Sequence, residues 1–171
     1  MKMKSHIPNM FTIFNLTLGV LAIVSIINES YTLSALLILL AAFMDRWDGQ
    51  LARRLDAESE LGKELDSLCD LISFGVAPAL LIWSFNLTDL GVIGVIITIT
   101  FAVSGAYRLA RYNIVEFEGI YMGIPITMAG GILALTTLYS IKYHTNVYLI
   151  GIIVLVLSYT MVSKRIKLKK R

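Results

Sequence analysis

DRWDGQLARRLDAESELGKELDSLCD, residues Asp45–Asp70, is where charge gathers in this 171-residue chain. The window holds eight of the twelve acidic residues: Asp45, Asp48, Asp56, Glu58, Glu60, Glu64, Asp66 and Asp70. Four of them are spaced for helix geometry. Asp45 and Asp48 (i, i+3) share a face at the end of an apolar stretch, and Gly49 and Ala52 continue that face. Asp66 and Asp70 (i, i+4) share a face at the start of the next stretch, one turn after Gly62. A turn near Asp56–Ser59 folds the two ends together and brings four carboxylates to one place.

Four neighbouring carboxylates repel one another and cannot all ionise without compensation. A cation supplies it. All-oxygen ligands suit Mg²⁺ or Mn²⁺, with Ca²⁺ as a further occupant, rather than zinc or copper. Four carboxylates can hold two metals about 3.5–4 Å apart, an arrangement that clamps phosphoryl groups during displacement. Gly49 and Gly62 leave backbone open to a diphosphate, and Arg53 offers a forked phosphate donor. Asp56, Glu58, Glu60 and Glu64 read as a solvated loop pairing with Arg46, Arg53, Arg54 and Lys63. Asp45 and Asp70 do not fit that reading, because they abut apolar stretches where ionisable groups are costly.

Around this window the chain is 57% hydrophobic and 16% charged, with a mean hydropathy of +0.75. Soluble domains are about 25% charged, so a soluble globular enzyme is excluded. Six apolar runs can be marked: Met10–Ile27, Leu33–Met44, Cys69–Phe85, Leu90–Tyr107, Ile124–Ile141 and Val147–Val162. At ~20 residues for each crossing, six spans take up about 120 residues and leave no room for a second domain. The expectation is an all-α, polytopic membrane helix bundle with six transmembrane helices, a single domain over 1–171. The first run resembles a signal peptide but lacks a small-residue cleavage site, and it reads as a retained span.

The orientation follows from Lys and Arg. One side collects fourteen of the fifteen, including the tail over 163–171; the other has only Lys142. Both termini are therefore expected in the cytoplasm, in a multi-pass protein of the cell membrane. The basic tail reads as a topology signal attracted to anionic headgroups, with no nucleic-acid role. Cys69 has no intramolecular disulfide partner and reads as packing, while His6 and His144 are isolated from any ligand set. Small residues such as Gly19, Gly75, Gly105 and Gly130 permit close helix approach, and Pro78 predicts a kink.

The window fits D-x2-D-G-x2-A-R-x8-G-x3-D-x3-D, filled by Asp45, Asp48, Gly49, Ala52, Arg53, Gly62, Asp66 and Asp70. On these residues the chain resembles the CDP-alcohol phosphotransferase family, whose members also have six spans. IPNMFTIFNLTLGVLAI near the start, Tyr107–Ile114 and Gly123–Gly131 are similar to its integral-membrane serine phosphatidyltransferase branch. The resemblance implies transfer of a phosphatidyl group from CDP-diacylglycerol, or its ether-lipid analogue, to L-serine with release of CMP. It implies a dinuclear metal site on Asp45, Asp48, Asp66 and Asp70, with Asp70 as general base. It assigns the CDP moiety to Gly49, Arg53, Ser59 and Gly62, and to Asn9 and Thr12 at the start of the first span. As helix caps or turn residues, Asn9, Thr12 and Ser59 have an ordinary structural reading as well. Homodimerisation is common in the family. The carboxylate of serine needs a cation, and Arg108 and Arg111, three residues apart, share a face for it. Glycerol-3-phosphate or an inositol phosphate is the alternative acceptor. A divalent-cation channel or transporter is a distant alternative that expects acids near the bilayer midplane.

Overall fold

Long apolar runs in a chain this poor in charge fold as helices, since a helix bonds every backbone N–H and C=O within its own segment. A computed structural model describes residues 6–55, 60–114, 120–164 and 167–169; at 6–9, 47–55, 120–122 and 167–169 the backbone alone is described. Among the described residues there are six helices. They are α1 (His6–Ile27), α2 (Tyr31–Leu55), α3 (Glu60–Leu90), α4 (Val92–Ile114), α5 (Ile126–Lys142) and α6 (Val147–Val162). Three, in α1, α3 and α4, are long and apolar enough to cross a membrane. α5 and α6 are apolar but shorter, at 17 and 16 residues.

The helices outrun the apolar stretches. α2 carries on through Asp45 and Arg53 to Leu55, and α3 starts at Glu60, well before Cys69. Both halves of the acidic window are thus helical, as the i, i+3 and i, i+4 spacings require. The turn expected at 56–59 lies outside the described residues.

α3 is not uniformly wound. It is α-helical over Glu60–Asp70 and widens by one residue per turn over Leu71–Val76. It returns to α over Ala77–Ile82, widens again over Trp83–Leu87 and closes in a tight turn over Thr88–Leu90. Pro78 explains the first widening. It has no N–H to give, and the Ala77 N–H bonds the Ile72 carbonyl five residues back. The kink expected at Pro78 takes the form of a change in winding.

α3 touches all five other helices and forms the centre of the bundle. Small side chains line the helix contacts beside large ones such as Phe74 and Phe101: Ala22, Ala35, Ala41, Ala77, Ala129 and Ala134 are fully buried, whereas Leu21, Leu36, Ile99, Leu135 and Ile152 face outward and are exposed. That distribution suits an apolar solvent, where close backbone packing holds helices together. Two buried hydroxyls turn back on their own helix: Thr98 and Ser158 donate to the Gly94 and Val154 carbonyls at 2.8 Å.

Two three-residue strands qualify the all-α expectation. Ile120–Met122 (β1) and Lys167–Lys169 (β2) pair antiparallel, with Tyr121 opposite Leu168. Backbone groups outside the helices satisfy each other there, and the basic C-terminal segment is drawn beside the chain between α4 and α5.

Adjacent glycines on α5 test the packing. A Cβ on Gly130 would lie 2.6 Å from the Phe74 carbonyl oxygen, while one on Gly131 would meet nothing within 4 Å. Gly130→Ala is expected to destabilise by about 1–3 kcal/mol through overpacking. Gly131→Ala should leave the protein equally stable or more so, since Ala favours the helix by about 1 kcal/mol. Thermal unfolding of the detergent-solubilised variants measures the contrast.

Candidate active site

The functional side chains meet at one end of the bundle, formed by the starts of α1, α3 and α5 and the ends of α2, α4 and α6. Carboxylate oxygens of Asp45 on α2 and of Asp66 and Asp70 on α3 all lie within 4.8 Å of one another. Asp70 is only 9% exposed, and the other two are half-buried. Asp45 and Asp70 also stand in hydrogen-bonding range of each other, which demands a shared proton or a bridging cation. Burial pushes Asp45 above the ordinary carboxylate range, opposed by its hydrogen bonds from Thr127 and with Asp70. The oxygen atoms, their number and their spacing fit a hard divalent cation.

Two residues outside the acidic window hold these carboxylates in place. Asn15, fully buried on α1, donates from Nδ2 to Asp70 Oδ1 at 3.3 Å. Thr127, at the start of α5, donates from Oγ1 to Asp45 Oδ2 at 3.2 Å. A signal for Asn15 was present, because a lone amide in an apolar span is expensive unless it has a partner. The signal for Thr127 was its place in the Gly123–Gly131 stretch. Gly123 adopts φ +79°, and a Cβ there would press on the Thr160 and Met161 carbonyls; the Ile124 N–H bonds the Thr160 carbonyl at 3.2 Å. That junction with α6 fixes where α5 begins and so where Thr127 points.

The two arginines of α4 part company despite their shared face. Arg108 is 7% exposed, its Nε is buried without a hydrogen-bond partner, and it is close enough to Asp70 to interact electrostatically. Its guanidinium lies 4.7 Å from the centre of the Tyr112 ring. Arg111 instead donates to the Val162 carbonyl at 3.0 Å, at the C-terminal end of α6. Asn113, one turn on from Leu109, bridges to α3: its Nδ2 donates to Glu64 Oε2 at 3.0 Å and to Ser67 Oγ at 3.2 Å.

Thr12 is buried on α1 one turn before Asn15, inside the helix rather than capping it. Gly62 is half-buried in the first turns of α3. Asn9, Asp48, Gly49 and Arg53 lie on α1 and α2, but their side chains fall outside the described set, and Ser59 is outside the described residues altogether. Glu60 and Glu64 are exposed but stand on α3 rather than in the loop expected for them, and Glu64 accepts from Asn113; His144 is exposed, and Cys69 is buried and forms no disulfide.

Residues 5–167 match the family model for CDP-alcohol phosphatidyltransferase. The chain is 38% identical over 161 residues to the CDP-diacylglycerol–serine O-phosphatidyltransferase of Bacillus subtilis, covering 94% of this chain and 88% of that one. It is 37% identical over 164 residues to the enzyme of the same name from Methanocaldococcus jannaschii, covering 96% of this chain and 74% of that one. Over 127 residues it is 37% identical to the archaetidylserine synthase of Methanothermobacter thermautotrophicus, covering 72% of this chain and 54% of that one.

Three carboxylates this close predict a stabilising divalent ion. At a hundred times its Kd, Mn²⁺ should stabilise the solubilised protein by about 2.7 kcal/mol. The thermal shift should vanish in Asp66→Asn, and an unchanged shift in that variant would place the ion elsewhere.

Proposed function

The chain belongs to the CDP-alcohol phosphatidyltransferase family, and from that premise we propose that it transfers the phosphatidyl group of CDP-diacylglycerol, or of its ether-lipid analogue, to L-serine. The observation that carries this reading is the convergence of Asp45, Asp66 and Asp70 beside the buried Arg108. The carboxylates answer to a cation–diphosphate donor and the guanidinium to a carboxylate-bearing acceptor.

In the proposed reaction Asp70 takes the proton of the serine hydroxyl as that oxygen attacks the β-phosphorus of the donor. The new bond joins serine oxygen to phosphorus, and the bond from that phosphorus to the bridging oxygen breaks, releasing CMP and phosphatidylserine. No protein nucleophile intervenes, so the reacting groups must be held in line by the site itself. Asp45, Asp48, Asp66 and Asp70 would hold two Mg²⁺ or Mn²⁺ ions, which when bound neutralise the diphosphate and the departing CMP. Gly49, Arg53, Ser59 and Gly62, with Asn9 and Thr12, are assigned to the CDP moiety. Arg108 pairs with the serine carboxylate; Arg111, tied to the end of α6, fixes the position of α4 from which Arg108 projects.

The same reading sets the protein in its membrane. Six helices cross the cell membrane as a multi-pass bundle, with both termini and the aspartates at the cytoplasmic face and a homodimer as the assembly. Fourteen of the fifteen basic residues on one side support that orientation. The tails of the donor then stay in the bilayer while serine arrives from water. Acids gathered at one end, rather than along the midplane of several helices, argue against a cation channel.

Purified protein given CDP-diacylglycerol and Mn²⁺ is expected to release CMP with serine and not with glycerol-3-phosphate or inositol phosphate. Release with a phosphorylated acceptor alone would overturn the assignment. Asp70→Asn should abolish release while the protein still melts cooperatively. Arg108→Met should raise the KM for serine roughly 10-fold or more, as expected when a charged hydrogen bond worth about 1.5–3 kcal/mol is lost, with the KM for the CDP-lipid little changed.

A further inference from the structure

We infer that Asn15 is the positioning residue for Asp70: its amide N–H fixes the rotamer of that carboxylate for metal binding and for proton transfer. The inference rests on the proposed role of Asp70, and deepens it by naming what holds the base.

Asn15 sits on α1 with none of its surface exposed. Its Nδ2 reaches Asp70 Oδ1 at 3.3 Å, across 55 residues of sequence. The backbone around it is fixed as well. Ser73, one turn beyond Asp70, donates from Oγ to the Asn15 carbonyl at 3.0 Å. One turn along α1, a Cβ on Gly19 would stand 2.9 Å from the Ser73 Cα, so the two helices approach there as closely as a missing side chain allows. The wide turn of α3 begins at Leu71, directly after Asp70, and this clamp holds its first residues against α1.

The amide is a poor choice for packing alone. Its Oδ1 is buried with no hydrogen-bond partner, a costly state that an apolar side chain of the same size would avoid. What the amide supplies in return is the donor on Asp70. One oxygen held in this way presents the other in a fixed direction, as hydrogen-bond partners of metal ligands do.

The test uses full-length protein in detergent, with steady-state kinetics and Mn²⁺ binding followed by EPR. Asn15→Leu keeps the branched outline of the side chain and removes the N–H. It should lower kcat with serine by roughly 10–100-fold and weaken Mn²⁺ by a similar factor. With Mn²⁺ saturating for each variant, the KM for the CDP-lipid should stay within about threefold, since a positioning residue does not touch that substrate. In an Asp70→Asn background, Asn15→Leu should weaken Mn²⁺ no further, because the two residues act through one contact. A general packing defect would instead add to the effect of Asp70→Asn, and that result overturns the inference. If Asn15→Leu does not fold, Asn15→Ala, smaller and without any side-chain donor, carries the kinetic arm with the same expected loss in kcat. Either variant folding with kcat within about threefold of the parent also overturns it. Should the parent release no CMP with serine, the acceptor assignment fails, and the Mn²⁺ arm alone still decides the role of Asn15. A parent that binds no Mn²⁺ overturns both.

Discussion

Repulsion among Asp45, Asp66 and Asp70 is the constraint around which the rest of the structure is arranged. Their oxygens lie within 4.8 Å of one another on two helices, and two unit charges at about 4 Å repel by about 4 kcal/mol at an effective dielectric of 20. Left alone, that repulsion would splay α2 from α3. The fold opposes it with a hydrogen-bond donor on each side: Thr127 of α5 on Asp45, and Asn15 of α1 on Asp70. The positive charge of Arg108 adds to them from α4. These donors offset part of the repulsion, and a bound cation is the natural complement for what remains.

Such an arrangement needs helices brought unusually close, and the packing supplies this through small residues. α3 takes α1 at Ser73, where only Gly19 fits, and α5 at Phe74, where only Gly130 fits. Both contacts fall within the wide turn that follows Asp70 and precedes Pro78. The proline therefore acts on the site at a distance. It shifts the winding just where two neighbouring helices lean on the backbone, and the aspartate one turn earlier inherits the resulting geometry. Interiors this tight have few alternative arrangements, so an aspartate held by such a frame keeps its orientation.

How much of this could be read from the sequence depends on whether the information was local. The helices at the acidic window, and the convergence of Asp45, Asp66 and Asp70, follow from spacings of three and four residues and were legible. Asn15 and Thr127 stood out at most as polar residues in apolar stretches, and their roles were not legible, because their partners stand 55 and 82 residues away. A single Asn or Thr in an apolar stretch has no spacing to betray it. Arg108 and Arg111 show the opposite limit. Equal spacing placed them on one face with one expected role, and only the packing of α6 separates the cation near Asp70 from the one that binds the Val162 carbonyl. Pro78 announced a disturbance without saying which kind, and the short pairing of 120–122 with 167–169 has too few residues for any periodicity to reveal.

The division between Arg108 and Arg111 bears on acceptor choice. A phosphorylated acceptor brings a dianion and calls for two or more cations aimed at one point. An amino acid carboxylate calls for one, with a planar fork to match it. With Arg111 engaged at α6, Arg108 is the cation of the pair left facing Asp70, and its buried Nε lacks a partner within the protein. Buried guanidinium is costly unless its donors are used, so the proposed serine carboxylate would satisfy a group the fold has already desolvated. Substrate charge would thus be read by how many arginines the helix packing keeps out of structural service.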